Sequence, residues 1–146
     1  MAMPDVRIFE HHDHSECTGE VLAAAEARAA AAGLRLTPVR RRALEILLEE
    51  HRALGAYDVL KRLADDGFGA QPPVAYRALD FLVVHGFAHR IEGLNAFAAC
   101  THSGSDHRPV FFICETCKVV AEASADAVQD AISDAAAKLG FKTERA

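Results

Sequence analysis

The hydrophobic period of this chain changes from helical to alternating at Gly86, and no other feature constrains the fold as strongly. Before that glycine apolar residues recur at helical spacing. After it Phe87, His89 and Ile91 alternate with Ala88 and Arg90, and Ala96 to Cys100 follows a turn at Gly93 to Asn95. A period of two on either side of a short turn is a β-hairpin. If the hairpin turns about Gly93 and Leu94, His89 pairs with Ala98 and Cys100 is its diagonal neighbour. If the turn is shifted by one, His89 and Cys100 stand opposite each other. Either register puts the two on one face.

The helical part reads as four segments. Val21 to Ala32 is alanine-rich and stops at Gly33. Thr37-Pro38 supplies a hydroxyl cap and a first-turn proline ahead of Ala43, Leu44, Leu47 and Leu48, a stripe that runs to about His51. Ala56 to about Asp66 is expected to bury Val59, Leu60 and Leu63, and Pro72-Pro73 opens a fourth helix that ends near His85. Helices leading directly into a hairpin are the order of elements in a winged helix-turn-helix, which places a helix in the DNA major groove. On the fourth helix, 100° per residue puts Ala75, Leu79 and Leu82 on one face, Arg77, Asp80 and Val84 opposite, and Tyr76 on the flank. Arg77, near the helix start, is placed to grip guanine O6 and N7 or a phosphate, and Tyr76 to touch a thymine methyl or a phosphate. Arg35, Arg40, Arg41 and Arg42 are candidate phosphate contacts, although each reads equally well as part of a solvated basic face.

Thr101 to Pro109 is polar and is the expected hinge. Beyond it, Val110 to Cys114 and Val119 to Ala123 read as strands joined through Cys114-Glu115-Thr116-Cys117. Ser124 caps a helix through Val128, Ile132 and Leu139 to Gly140, and Phe141 to Ala146 begins another strand. So short a unit buries little surface alone and is expected to pair with its copy in a homodimer. The expectation is an α+β chain: a mobile tail at 1–20, a winged helix-turn-helix at 21–100, a hinge at 101–109, and a small C-terminal α/β dimerisation domain at 110–146 that is possibly truncated at its end.

The net charge of -5 does not advertise a nucleic-acid partner, but its distribution does not exclude one. Residues 21–90 carry ten Lys and Arg against eight Asp and Glu, the only net-positive block. No apolar run approaches the roughly 20 residues that span a bilayer, and residues 1–19 mix acids with histidines in place of a basic, apolar leader, so a soluble cytoplasmic protein is expected. Four unevenly spaced cysteines do not make a disulfide framework, whereas eight histidines favour metal binding.

A lone histidine or cysteine in a strand is usually packing, but His89 and Cys100 together on one face of the hairpin are a plausible half-site. His107 in the hinge and Glu122 at the end of the following strand are not predicted to fill core positions, and these four make a closed tetrahedral set. Zinc accepts nitrogen, sulfur and oxygen donors in that geometry, and Cys100 is the donor that favours zinc over iron or manganese. Two ligands from the wing and two from beyond it would tie the DNA-reading unit to the dimer unit, which is a means of sensing.

Five blocks now carry a resemblance: Leu36-Thr37-Pro38-Val39-Arg40; Ala56-Tyr57-Asp58-Val59-Leu60; Pro72-Pro73 with Tyr76-Arg77-Ala78-Leu79-Asp80-Phe81-Leu82; Gly86-Phe87-Ala88-His89; and Phe112-Ile113-Cys114 with Cys117. From about Val21 onward the chain resembles the ferric uptake regulator family, in its zinc-sensing branch. The resemblance implies a winged helix, a C-terminal dimerisation domain, and repression of zinc-uptake genes on operator DNA when a regulatory zinc site is filled. It implies that His89, Cys100, His107 and Glu122 are the regulatory ligands, His107 being preferred over His102 because it stands seven residues before Cys114. It also implies DNA contacts at Tyr57, Tyr76 and Arg77.

Two departures stand out. Val74-Ala75 replaces the family's hydroxyl residue and valine, which removes a backbone contact and puts the details at Tyr57, Tyr76 and Arg77 in doubt. The family's structural zinc site uses two Cys-x-x-Cys pairs, and here only Cys114 and Cys117 are present. If the chain ends at Ala146, that site cannot close within one subunit, and the pair is completed by another donor or stands as free thiols or a disulfide. His11, His12, His14 and Cys17 lie outside the resemblance and read as a solvated tail or an auxiliary metal site, while His51 and His85 read as ordinary helix-end residues. Competing functions are a zinc hydrolase, for which four ligands leave no open position, a zinc buffer, and an iron or peroxide sensor of the same family. The expectation is a regulator and not an enzyme.

Overall fold

In the computed structural model, residues 14–49, 52–100, 109–117, 119–124 and 126–142 are described. Helix α1 spans His14–Ala31, α2 Pro38–Glu49, α3 Ala56–Asp65 and α4 Pro72–Val84. Strands β1, Ala88–Ile91, and β2, Ala96–Ala99, form the wing, β3, Pro109–Ile113, and β4, Val120–Ser124, a second hairpin, and α5, Asp126–Lys138, follows. Helix α1 starts earlier than Val21, so residues 14–20 belong to it and not to the tail. Gly19 costs about 1 kcal/mol in a helix interior and does not stop one that alanines propagate.

Sequence punctuation sets the helix ends. Thr37 Oγ1 accepts a long hydrogen bond, 3.5 Å, from the Arg40 N–H at the start of α2, and Pro72 and Pro73 occupy the first turn of α4. Gly86 ends α4 with φ of 76°, while the Phe87 N–H donates to the Leu82 carbonyl at 2.7 Å. That left-handed step, which a side chain resists, turns the chain from α4 into the wing. It is the physical content of the period change read from sequence.

Leu44, Ile46, Leu47, Val59, Leu63, Leu79 and Leu82 are almost fully buried where α2, α3 and α4 meet. Leu22, Ala25 and Ala29 of α1 close one side of this core, and Phe87, Ala88 and Phe97 of the wing root close another. The wing has a further neighbour that the sequence did not reveal. Leu54 and Phe97 exchange backbone hydrogen bonds of 2.9 and 2.8 Å, and Arg52 bridges to Val119 beside the second hairpin. Three residues are too few to show a period, which is why 52–54 reads as loop.

The second hairpin pairs Val110 with Ala123, Phe111 with Glu122 and Phe112 with Ala121. Phe141 and Lys142 follow α5 without forming the expected strand, and the rest of that expectation lies outside the described residues. Phe112, Val128, Ile132, Leu139 and Phe141 are exposed, an apolar surface that a single chain leaves uncovered. Among the described residues no helix is long and apolar enough to cross a membrane.

This packing predicts that Leu79→Ala lowers the unfolding free energy of the helical unit by about 2–5 kcal/mol in denaturant titration, because it opens a cavity among fixed neighbours. Val84→Ala, at a position 76% exposed on the same helix, is expected to change it by less than about 0.5 kcal/mol.

Candidate metal centre and nucleic-acid interface

The wing settles into the first of the two registers: His89 pairs with Ala98, and Cys100 follows one step along the same face, its N–H donating to the Phe87 carbonyl at 2.9 Å. The opposite face, with Ala88 and Phe97, belongs to the helical core. The face bearing His89 is covered as well. Ile91, Ala96, Ala98 and Cys100 are buried yet stand outside that core, and the Phe111 ring meets the His89 imidazole edge-on at 5.5 Å. Cys100 is 1% exposed, and the His89 Nε2 is shielded from water.

A buried imidazole nitrogen and a buried thiol on one strand pair are donors that suit zinc. They sit where the second hairpin lies against the wing, and that hairpin's register sets Glu122 opposite Phe111, the residue that touches His89. Backbone pairing thus brings the Glu122 position to the hairpin segment that covers the wing. His107 and His102, and the Glu122 side chain, lie outside the described residues. Among the described residues no group of three or more His, Cys, Asp or Glu forms a metal cluster. Of the four expected ligands, the structure describes the side chains of His89 and Cys100, on one face of the wing, and places Glu122 by its backbone alone, in β4.

Cys114 and Cys117 flank a tight turn between β3 and β4. Backbone N–H groups of Cys117 and then Thr116 bond the Cys114 sulfur and hold its thiol below the usual range. Cys114 is half-buried and Cys117 exposed, so both are accessible where Cys100 is not. His11 and His12 lie outside the described residues. His14 and Cys17 fall within α1, their side chains undescribed.

The face of α4 opposite its core residues is exposed. Tyr76 is 54% exposed, with Arg77 and Asp80 exposed beside it, and Tyr57 on α3 is 79% exposed. Three of the other basic candidates, Arg40, Arg41 and Arg42, are engaged within the chain. Arg41 bonds Glu26 of α1 at 2.5 Å. Arg42 reaches Asp66 at 2.6 Å and Glu49 at 2.7 Å, and Arg62 meets the same Glu49 at 2.8 Å. The hydrogen bond to Asp66, and then that to Glu49, raise the Arg42 pKa above its ordinary value. Arg40 lies 3.8 Å over the Phe81 ring and donates to the Arg35 carbonyl at 2.7 Å.

A sequence model of the ferric uptake regulator family matches residues 31–146. The chain belongs to that family. Within it, the chain is 40% identical over 125 residues to the zinc uptake regulation protein of Escherichia coli strain K12, covering 85% of this chain and 73% of that one. The fold matches a zinc uptake regulator complexed with zinc and DNA at a TM-score of 0.80 and 39% identity, covering 88% of this chain and 87% of that one. It matches the crystal structure of holo XcZur at 0.76 and 34%, covering 87% and 89%. The order of helices, wing and second hairpin is thus the family's. His85, read from sequence as a helix-end residue, does more: its carbonyl accepts from Arg28 at 2.9 Å, and its ring leans on Phe81 at 4.6 Å.

The burial pattern predicts the order of thiol labelling in the metal-free chain. Mass spectrometry after brief alkylation should find Cys117 and Cys114 modified well before Cys100, and equally rapid labelling of Cys100 would contradict the covered wing face.

Proposed function

We propose that this protein is a zinc-responsive transcriptional repressor that binds operator DNA as a dimer when a site built from His89, Cys100, His107 and Glu122 is filled, so controlling zinc-uptake genes. The observation that carries the reading is the buried His89 Nε2 and the buried Cys100 on one face of the wing, where Phe111 of the second hairpin meets the His89 ring. A regulatory metal must touch the parts whose arrangement it controls, and these donors lie where the DNA-reading unit meets the second unit. The relative named for zinc uptake regulation and the neighbour complexed with zinc and DNA support the choice of metal. Zinc in such a set supplies a cross-link among nitrogen, sulfur and oxygen donors, and leaves no position for substrate. The protein is a regulator and not an enzyme.

The chain's own residues do the rest. Gly86 fixes the angle between α4 and the wing, so whatever holds the wing face also holds the recognition helix. Tyr76 and Arg77 enter the major groove, Arg77 reading a base edge or phosphate, and Tyr57 reaches the backbone beside them. The exposed residues Phe112, Val128, Ile132, Leu139 and Phe141 are covered by the second copy, giving two helices for a two-fold operator. The winged helix ends at about Cys100 and the dimer unit starts at about Val110. Cys114 and Cys117 supply two thiolates of a second zinc site, whose remaining donors come from outside the described residues. Repression takes place in the cytoplasm, where the operator is.

Affinity of the full-length protein for its operator is expected to rise about 5–150-fold on adding zinc, and Cys100→Ser to abolish that response while leaving the fold intact by circular dichroism. Equal binding with and without zinc would overturn the reading. Competition between zinc and iron(II) for the same protein separates a zinc sensor from an iron sensor. A further expectation concerns Arg77→Ala, which should cost about 1–3 kcal/mol of discrimination at one operator base pair in a set of single-base variants.

A further inference from the structure

Two arginines and two phenylalanines form a continuous stack across the helical unit. The Arg40 guanidinium lies 3.8 Å from the centre of the Phe81 ring. Phe81 stacks on Phe87 with centroids 6.3 Å apart and planes at 14°. The Arg28 guanidinium lies 4.1 Å from the centre of the Phe87 ring. Each guanidinium is also tied to backbone, Arg40 to the Arg35 carbonyl at 2.7 Å and Arg28 to the His85 carbonyl at 2.9 Å. The stack joins the α1–α2 connection, the first turn of α2, the second half of α4, the first residue of the wing arm and the end of α1.

We infer that Arg40, with Arg28 at the other end of the stack, is a positioning residue that sets the recognition helix against α2 and the wing, and is not a phosphate contact. This rests on the DNA-binding reading above. Phe81 lies one helical turn beyond Arg77, so its anchoring decides where Arg77 and Tyr76 point. A guanidinium suits this place because it is planar, always charged, stacks on an aromatic face and still donates sideways to a carbonyl. An ammonium would keep the charge and lose the stack. Gly86 belongs to the same device: a Cβ there would stand 3.7 Å from Arg28 Nη2, at a backbone angle that favours glycine.

A phosphate contact and a positioning residue leave different signatures. Losing a phosphate contact weakens operator and non-operator DNA alike and lowers the slope of log affinity against log salt by about one per subunit, two per dimer. Losing a positioning residue weakens the operator selectively and leaves the slope alone, because the number of neutralised phosphates is unchanged.

The experiment uses the zinc-loaded, full-length dimer with Arg40→Lys and Arg40→Met, titrated with operator and with scrambled DNA of equal length at several salt concentrations. We expect both variants to lose about tenfold on the operator only, with unchanged slope and no rescue by lysine. An unselective loss with a shallower slope, rescued by lysine, would show a phosphate contact and overturn the inference. An equal loss on both DNAs at unchanged slope would show general destabilisation and overturn it as well. A double-mutant cycle in thermal stability between Arg40→Met and Phe81→Leu reads the stack without DNA: non-additive midpoints are expected, and additive ones contradict it. If the unaltered protein fails to bind its operator with zinc, the repressor reading falls and the positioning role with it, while a non-additive cycle still marks that failure as separate from a failure of the stack.

Discussion

The wing hairpin is buried on both faces, and the rest of the molecule is arranged around that constraint. One face, through Ala88 and Phe97, completes the core of α2, α3 and α4. The other, through Ile91, Ala98 and Cys100, is buried as well, with Phe111 of the second hairpin against His89. A two-stranded ribbon is marginal by itself, so its conformation is set by what it packs on. On the proposed reading, donors on this face would make the packing of two units responsive to a metal, and the left-handed step at Gly86 would pass that response to α4.

Charge is used in a way that the composition conceals. A chain with a net charge of -5 binds a polyanion only if a few cations are well placed, and most arginines of α2 are occupied within the fold. Arg41 holds α1, Arg42 joins α2 to the end of α3, and Arg40 stacks beneath α4. Exposed ion pairs of this kind contribute little each, but they fix the helices from which Tyr57, Tyr76 and Arg77 project. On the proposed reading, selectivity for operator DNA would come from a small number of side chains held at the correct angle.

Much of this was legible in the sequence because it rests on local rules. The period change at Gly86, the proline pair at α4 and the apolar stripe of Leu44, Leu47 and Leu48 depend on neighbours along the chain, and they located the winged helix. The pairing of His89 with Cys100 on one face followed from the parity of a hairpin. What escaped was non-local. The bridge from Leu54 to Phe97 joins segments too short to show a period, and the early start of α1 at His14 reflects propagation through a glycine. The arginine row beginning at Arg40 reads from sequence equally as phosphate contacts or as a solvated basic face, because sequence shows a charge and not its partner. Glu26, Asp66, Glu49 and Phe81 are those partners, and all lie on other helices or on a different turn.

If zinc and operator DNA act on one arrangement of wing and second unit, thermodynamic linkage couples their affinities. Zinc affinity of the dimer should be measured by competition with a chelator, with and without saturating operator DNA. The account predicts that DNA tightens zinc binding at the site of His89 and Cys100 by the same factor by which zinc tightens DNA binding. Zinc affinity indifferent to operator DNA would contradict it.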